Sequence, residues 1–150
     1  MTCPLSSNLY EERAAGFIGA LQLFNLPVHK QLFFYQQLNP EQTLSTMRKM
    51  FAGKMKPDAL FVTSDRNAVA VVQYAKENGI SIPGQLRVIG YSNDPITAVI
   101  SPSITTIDQF PSVFGDRLVQ TLLEMLKQGY TTVYSPPVVT PVELIQRESG

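Results

Sequence analysis

The chain has 150 residues and is 44% hydrophobic, which suffices for one domain with a packed core. Twelve basic and twelve acidic residues cancel, and no run of Lys or Arg occurs, so the charge pattern predicts no DNA binding by this chain alone. The single cysteine, Cys3, excludes an internal disulfide and is typical of a reducing compartment. The sequence has no secretory signal pattern and no apolar run near the roughly 20 residues that span a bilayer. We therefore expect a soluble cytoplasmic protein without membrane contact.

Apolar residues recur at helical spacing in four segments. The predicted helices cover residues 9–24, 40–51, 66–78 and 111–127. Asn39 and Pro40 are residue types that favour the cap and the first position of the second helix, and Ser64 or Asp65 is expected to cap the third. The first helix has an apolar face formed by Tyr10, Ala14, Phe17, Ile18, Leu21 and Phe24. The fourth has one formed by Val113, Phe114, Leu118, Leu122 and Met125.

Short apolar runs between the helices predict strands at 31–35, 59–62 and 86–89, and less regular runs predict strands at 103–107 and 138–145. Helices alternate with continuous apolar strands up to Gly90. This alternation predicts an α/β fold with a parallel sheet that helices cover on both faces. Prolines interrupt the pattern after Gly90, so we expect a boundary near residues 101–110.

Ligands of such sheets bind beyond the carboxyl ends of the strands. Here those ends fall at 36–38, 63–65 and 90–94, where hydroxyls, amides and carboxylates are frequent. Tyr91 and Leu38 add apolar surface. The mixture predicts a neutral polar ligand such as a sugar or a nucleoside.

Groups suited to catalysis are scarce. His29, the single histidine, precedes a predicted strand and lies away from the strand ends, so we interpret it as a surface or turn residue rather than a general base. Asp65 and Asp94 could converge as a carboxylate pair, but a helix cap and a turn are the simpler interpretation of these two residues. We expect no catalytic residue, no metal ion and no cofactor, and hence a binding protein rather than an enzyme.

Five motifs in a fixed order indicate a family. They are RAAGF at 13–17, PDALFVTSD at 57–65, GISIP at 79–83 with VIGY at 88–91, PSITTIDQ at 102–109 and LIQRES at 144–149. Together they span nearly the whole chain and resemble the effector-binding half of the LacI/GalR regulators, the group of the lac and purine repressors. The resemblance implies a periplasmic-binding-protein-like type I fold, in which an effector lies between two lobes.

The resemblance also implies a division of the chain. Residues 1–101 would be most of the C-terminal lobe, 102–137 a segment belonging to the N-terminal lobe, and 138–150 the return strand. The lobe's first strand would lie before Met1, so we expect a gap or unpaired edges in the sheet. The helix-turn-helix headpiece would also lie outside this chain, so DNA would be bound only through that absent part. Exposed edges and the fourth helix lead us to expect a homodimer or higher oligomer, or aggregation.

By position in the family, the implied effector-binding residues are Arg13, Leu38, Ser64, Asp65, Tyr91, Ser92, Asn93 and Asp94. Arg13 would donate hydrogen bonds to the effector, and the alternative is a helix-surface arginine that bonds a nearby carbonyl. Ser92 stands where many members have Asp, and a serine is not a charged double acceptor. Asn93 or Asp94 would then supply the replacement.

Three functions remain open. The leading one is the effector-binding portion of a LacI/GalR-type transcription regulator. The second is a sugar-binding protein of the periplasmic-binding type that serves transport. The third, a small hydrolase that uses Asp65 and Asp94, has no positive support in the sequence.

Overall fold

The computed structural model describes residues 1–2, 8–37, 39–128 and 139–150. In chain order the elements are α1 (Asn8–Leu23), a 3₁₀ turn (Lys30–Leu32), α2 (Pro40–Ala52), β1 (Ala59–Phe61), α3 (Asp65–Glu77), β2 (Arg87–Ile89), α4 (Ile96–Val99), β3 (Thr106–Asp108), α5 (Pro111–Gln128) and β4 (Glu143–Ile145). The four predicted helices are confirmed as α1, α2, α3 and α5.

The cap of α2 follows its residue types. The Asn39 side chain accepts a hydrogen bond from the Gln42 N–H at 2.8 Å, Pro40 begins the helix, and Gly53 ends it. The side-chain cap predicted for α3 is wrong. Ser64 precedes that helix without a capping bond, and the Asp65 carboxylate bonds to other parts of the chain.

Met1 and Thr2 lie inside the sheet. On one side Thr2 pairs with residues 34–36 through backbone hydrogen bonds of 3.0 and 2.9 Å. On the other side the Met1 amino group donates to the Phe61 carbonyl oxygen at 2.7 Å, and the Met1 carbonyl accepts from the Thr63 N–H at 3.1 Å. These two residues therefore separate 34–36 from β1.

The strand predicted at 31–35 is wrong. Lys30–Leu32 forms a 3₁₀ turn, and among the described residues the β-pairing of this segment is limited to the bridge between Tyr35 and Thr2. A strand needs a paired neighbour along its length, and a single bridge does not supply one.

β1 and β2 form one two-stranded sheet and β3 and β4 a second, and a parallel bridge between Ile89 and Thr105 connects the two. β1 and β2 pair in parallel. The Gly90 N–H, just after β2, donates to the Thr105 carbonyl oxygen at 2.8 Å, which places the start of β3 beside β2. β3 and β4 pair antiparallel, with Ile107 opposite Leu144. The predicted α/β fold with a parallel sheet is confirmed, and its last strand runs in the opposite direction.

The core lies between α2, α3 and one face of the sheet. Its buried side chains include Met47, Met50, Leu60, Val62, Val71, Val72, Leu86, Val88 and Ile104. Burial of one such side chain contributes about 1.5–3 kcal/mol, so this layer holds the strand ends in place. The opposite face is covered less completely. Phe17 of α1 stacks on Phe61 at 5.9 Å between ring centroids, but α1 buries no residue fully, and Phe24 lies exposed beyond its end.

A cavity of about 530 Å³ lies between α1 and the sheet. Residues 32–34 and 59–61 form two of its walls, and Met1 closes one end.

Helix α5 presents apolar side chains to solvent. Those that are about half exposed or more are Val113, Phe114, Leu118, Val119, Leu122, Leu123, Met125 and Leu126. The apolar face predicted for this helix is therefore not packed against any of the described residues. Neither α5 nor any other helix in the described ranges combines the length and hydropathy needed to cross a membrane.

Candidate ligand-binding site

Three segments meet at the carboxyl ends of β2 and β3. They are the loop 91–94 after β2, Gln109 after β3, and Arg13 on α1. The two strand ends are joined because the Ser92 N–H donates to the Ile107 carbonyl oxygen at 2.9 Å and the Asn93 N–H donates to Thr106 Oγ1 at 3.3 Å. The pairing of β2 with β3 thus places side chains of both turns at one edge of the sheet.

Arg13 spans this edge. Its guanidinium carbon lies 3.8 Å from the centroid of the Tyr91 ring and 5.5 Å from that of Tyr10. An Nη2 hydrogen bond to Gln109 Oε1 is long, at 3.3 Å, and the buried Nε has no hydrogen-bond partner among the described residues. Among the described residues, Arg13 thus contacts a side-chain amide and aromatic rings, which differs from a helix-surface arginine that bonds a backbone carbonyl.

The loop after β2 has an unusual backbone. Ser92 and Asn93 have φ values of 121° and 49°, a region that L residues other than Gly seldom adopt. Asn93 Nδ2 donates to Asp108 Oδ2 at 2.8 Å, and Asn93 Oδ1 accepts from Arg147 Nη2 at 2.8 Å. Both polar groups of the Asn93 side chain are therefore bonded within the protein, and they stabilise the loop. The Ser92 hydroxyl is exposed and accepts a bond from Gln109 Nε2 at 3.3 Å.

Residues 147–149 support the loop 91–94 through hydrogen bonds to it and to the neighbouring strands. Arg147 Nη1 donates to the Ile104 carbonyl oxygen at 2.8 Å and to Thr97 Oγ1 at 3.0 Å. The Ser149 hydroxyl, fully buried, donates to the Val88 carbonyl oxygen at 2.6 Å. These bonds fasten the end of the chain to β2 and to the start of β3.

Asp65 lies beneath the loop rather than in it. Its side chain is 2% exposed, and its two carboxylate oxygens accept bonds from the Asp94 N–H (2.8 Å) and from Thr106 Oγ1 (2.7 Å). Gly90 leaves room for this carboxylate, since a Cβ there would lie 2.0 Å from Asp65 Oδ1. Asp65 therefore connects α3 to both strand ends.

Asp94 begins a turn, as its residue type predicts. Its Oδ1 accepts from the Ile96 N–H at 3.2 Å and its carbonyl oxygen from the Thr97 N–H at 2.9 Å. Oδ2 lies 3.6 Å from Arg66 Nε in an exposed ion pair. Asp65 and Asp94 therefore do not act as a carboxylate pair in this structure. The Asp65 carboxylate bonds to the Asp94 backbone, and the Asp94 side chain stabilises a turn.

Of the residues predicted from the sequence, the structure brings together Arg13, Tyr91, Ser92 and Asn93. Ser64 is half-buried at the start of α3, and Leu38 lies outside the described residues. Within the described ranges, no group of three His, Cys, Asp or Glu side chains could hold a metal ion.

Sequence reasoning missed Gln109 and Asp108 as parts of this edge, and Arg147 as its support. All three lie in motifs that were noted only as family features. The order of the strands in the sheet could have indicated them. If β3 follows β2 in the sheet, the residues after β3 must lie beside the loop 91–94.

An apolar recess adjoins Arg13 and Tyr91. It has a volume of about 320 Å³, and its other lining residues are Gly16, Phe17, Phe61, Ile89, Ile107 and Leu144. Such a surface beside a few polar groups is typical of small-molecule sites, where apolar walls take up the body of a ligand and polar groups orient it.

Comparison with known proteins identifies the family. Residues 5–150 match the family described as the periplasmic binding protein-like domain. The chain belongs to this family. Its members' fold accounts for the sheet, its flanking helices and the polar edge at the strand ends.

The curated relatives of this periplasmic binding protein-like domain are regulators. It is 32% identical over 145 residues to the HTH-type transcriptional repressor PurR of Actinobacillus pleuropneumoniae serotype 3 (strain JL03), and covers 43% of that protein. It is 32% identical over 138 residues to the NTD biosynthesis operon regulator NtdR of Bacillus subtilis (strain 168), and covers 42% of it. The matches include 97% and 92% of this chain. The chain thus spans less than half the length of these relatives and corresponds to their effector-binding half, which confirms the resemblance.

Solved structures show the same fold. The putative transcriptional regulator LacI from Bacillus cereus subsp. cytotoxis NVH 391-98 superposes with a TM-score of 0.91 at 17% identity, over 99% of this chain and 52% of that one. The transcriptional regulator CelR in complex with cellobiose gives 0.87 at 23% identity, over 100% and 45%. A sugar-binding transcriptional regulator of the LacI family from Escherichia coli, complexed with phosphate, gives 0.86 at 23% identity, over 99% and 52%.

Proposed function

We propose that this domain binds a small polar effector at the edge formed by Arg13, Tyr91, Ser92 and Gln109. The observation that supports the proposal most directly is the Arg13 guanidinium. It lies 3.8 Å above the Tyr91 ring, next to an apolar recess, and its buried Nε lacks a partner among the described residues. A group of this kind is suited to orient a ligand, because a guanidinium has several donors in a fixed planar fork and its contact with the ring restricts where it can move.

Each predicted residue keeps a role in this proposal. Arg13 and Ser92 would bond the ligand, and Tyr91 would contact its body. The remaining residues are supporting or peripheral contacts: Leu38, Ser64, Asp65, Asn93 and Asp94. We add Gln109 to the contacts, since its amide lies between Arg13 and Ser92.

The whole protein would be a transcription regulator that acts in the cytoplasm, without enzymatic activity. Its DNA contact would come from a headpiece outside these 150 residues, and its working form would be a homodimer or higher oligomer. Within the chain, we propose residues 1–101 and 138–150 as parts of one lobe and 102–137 as part of the other. The relatives named above are regulators, which favours this function over a transport-linked sugar-binding protein.

A ligand screen with a matched pair of variants tests the site. Sugars, nucleosides and their phosphates would be tested by thermal shift and then by calorimetry, since a ligand that binds only the folded state raises Tm. We expect Arg13→Ala to weaken binding at least tenfold, about 1.4 kcal/mol or more, because it removes charge-assisted hydrogen bonds. Arg48→Ala, at an exposed position of α2, is the control and should bind as the wild type does. Equal binding by the wild type and Arg13→Ala would contradict the proposal.

A further inference from the structure

We propose that the effector of this domain carries an anionic group, a carboxylate or a phosphate, which pairs with Arg13. The inference rests on the proposed function and specifies the ligand class. It departs from the neutral ligand predicted from the sequence, because the sequence does not show how the charges at the strand ends are paired.

The carboxylates around the site are already bonded. Asp65 accepts from the Asp94 N–H and from Thr106 Oγ1. Asp108 accepts from Asn93 Nδ2 at 2.8 Å and from the Phe110 N–H at 2.7 Å. Asp94 faces Arg66 and the start of α4. Each of these three carboxylates therefore serves the protein's own structure, and among the described residues none forms an ion pair with Arg13.

The Arg13 charge, by contrast, is not neutralised within the described residues. No described carboxylate lies within 4.0 Å of its guanidinium, and its one side-chain acceptor is the neutral Gln109 amide at 3.3 Å. Its Nε is buried without a partner. A partly buried cation with incomplete hydrogen bonding is costly, so an incoming anion would gain both the charge pairing and the unused donors.

The geometry of the guanidinium favours a planar or multidentate anion. The guanidinium carbon lies 3.8 Å from the centroid of the Tyr91 ring, and the guanidinium itself is planar, with its N–H donors in a fixed fork. Two N–H groups on one edge match two oxygens of a carboxylate or a phosphate. The exposed Ser92 hydroxyl has a proton to donate beside them, and it brings no negative charge that would repel the ligand.

Matched ligand pairs test the inference on the 150-residue chain. Glucose would be compared with glucuronate and glucose 6-phosphate, and adenosine with adenosine monophosphate, by calorimetry and thermal shift. Inorganic phosphate would be tested alone. We expect at least one anionic ligand to bind tenfold or more tightly than its neutral partner, and to bind more weakly as salt is added. The glucuronate and phosphate arms distinguish the two kinds of anion.

Variants separate this inference from the proposed function. Arg13→Gln should abolish the preference for the anion, Arg13→Lys should keep part of it, and Arg48→Gln should leave it unchanged. If neutral ligands bind as tightly as anionic ones but still require Arg13, the inference is overturned and the proposed function stands. If ligands bind without regard to Arg13, both are overturned. If no anion stabilises the wild type more than Arg13→Gln, the inference is overturned as well.

Discussion

Gly90 sets the geometry of the loop by lacking a side chain. It follows β2 at the point where the Asp65 carboxylate bonds to Thr106 and to the backbone of Asp94. A Cβ at this position would lie 2.0 Å from Asp65 Oδ1 and 3.2 Å from its Cγ. The carboxylate could not stay in place, and it is buried, so its displacement would leave a charge without its hydrogen bonds.

We therefore expect Gly90→Ala to lower the free energy of unfolding by about 3 kcal/mol, through overpacking and lost hydrogen bonds. Urea denaturation measures this change. Gly115→Ala is the matched control, because a Cβ at Gly115, inside α5, meets nothing within 4 Å. The control should be neutral or stabilising by up to about 1 kcal/mol. If Gly90→Ala lowers the free energy of unfolding by less than about 1 kcal/mol, the absence of a side chain beside Asp65 is not needed for stability.

Residue identities could be predicted at this site only where a motif named them. Arg13, Tyr91 and Ser92 were found because their motifs have a fixed order along the chain. Their partners were not, because Gln109 and Arg147 reach the loop through tertiary pairing that local patterns do not encode. The positive φ values of Ser92 and Asn93 also lie outside what residue type predicts.

Among the elements, helices were easier to predict than strands. Each predicted helix has a clear apolar period or a cap such as Asn39, and both are local properties. Strand formation depends on neighbours. The segment 31–35 has a strand's composition, but within the described part of the chain its β-pairing is limited to the bridge between Tyr35 and Thr2, whereas 59–61 pairs along its length with 87–89.

The buried Met1 amino group gives stability a pH dependence. Burial lowers the pKa of the Met1 amino group from 8.0 to about 6. Between these values the unfolded chain binds the proton more tightly than the folded chain does, so protonation favours unfolding. We expect the free energy of unfolding to fall by about 2 kcal/mol as the pH drops from about 8 to about 6, and to change little from this group outside that range.

Urea denaturation at several pH values measures the effect. Acetylation of the Met1 amino group is the control, because it removes the titrating charge, and the adjoining cavity has space for the added group. The acetylated chain should lose this part of the pH dependence. Identical pH profiles for the two forms would contradict the assignment.

At the scale of the whole molecule, the exposed face of α5 should control association. Leu118 and Leu122 are each 55% exposed and lie one turn apart. Apolar surface of this extent favours self-association in water. We expect the 150-residue chain to associate at concentrations on the order of 100 µM, and Leu118→Glu with Leu122→Lys to shift it toward monomer without loss of stability.

Sedimentation velocity measures the species present, and urea denaturation checks the stability. Gln120→Glu, on the opposite side of the helix, is the control and should associate like the wild type. A wild-type chain that stays monomeric throughout would contradict the prediction, as would an oligomer unaffected by the double substitution.

The fold class itself followed from the sequence because it depends on the order of elements rather than on their contacts. Alternating helices and apolar strands predict a parallel sheet, and five ordered motifs then indicate the family. The pairing of charges across the site depends on distances of a few tenths of a nanometre, which no pattern along the chain supplies. For that reason the sequence predicts a neutral ligand, whereas the contacts of Arg13 favour an anionic one.

The attachment of residues 147–149 couples the end of the chain to the site. Arg147 holds Asn93, and Ser149 is fastened between β2 and the start of β3. A ligand that binds the ordered loop more tightly than a loosened one must favour the attached tail by the same free energy, since such coupling is reciprocal. If a ligand binds as proposed, amide hydrogen exchange in these last residues should slow on binding, although no ligand atom needs to touch them.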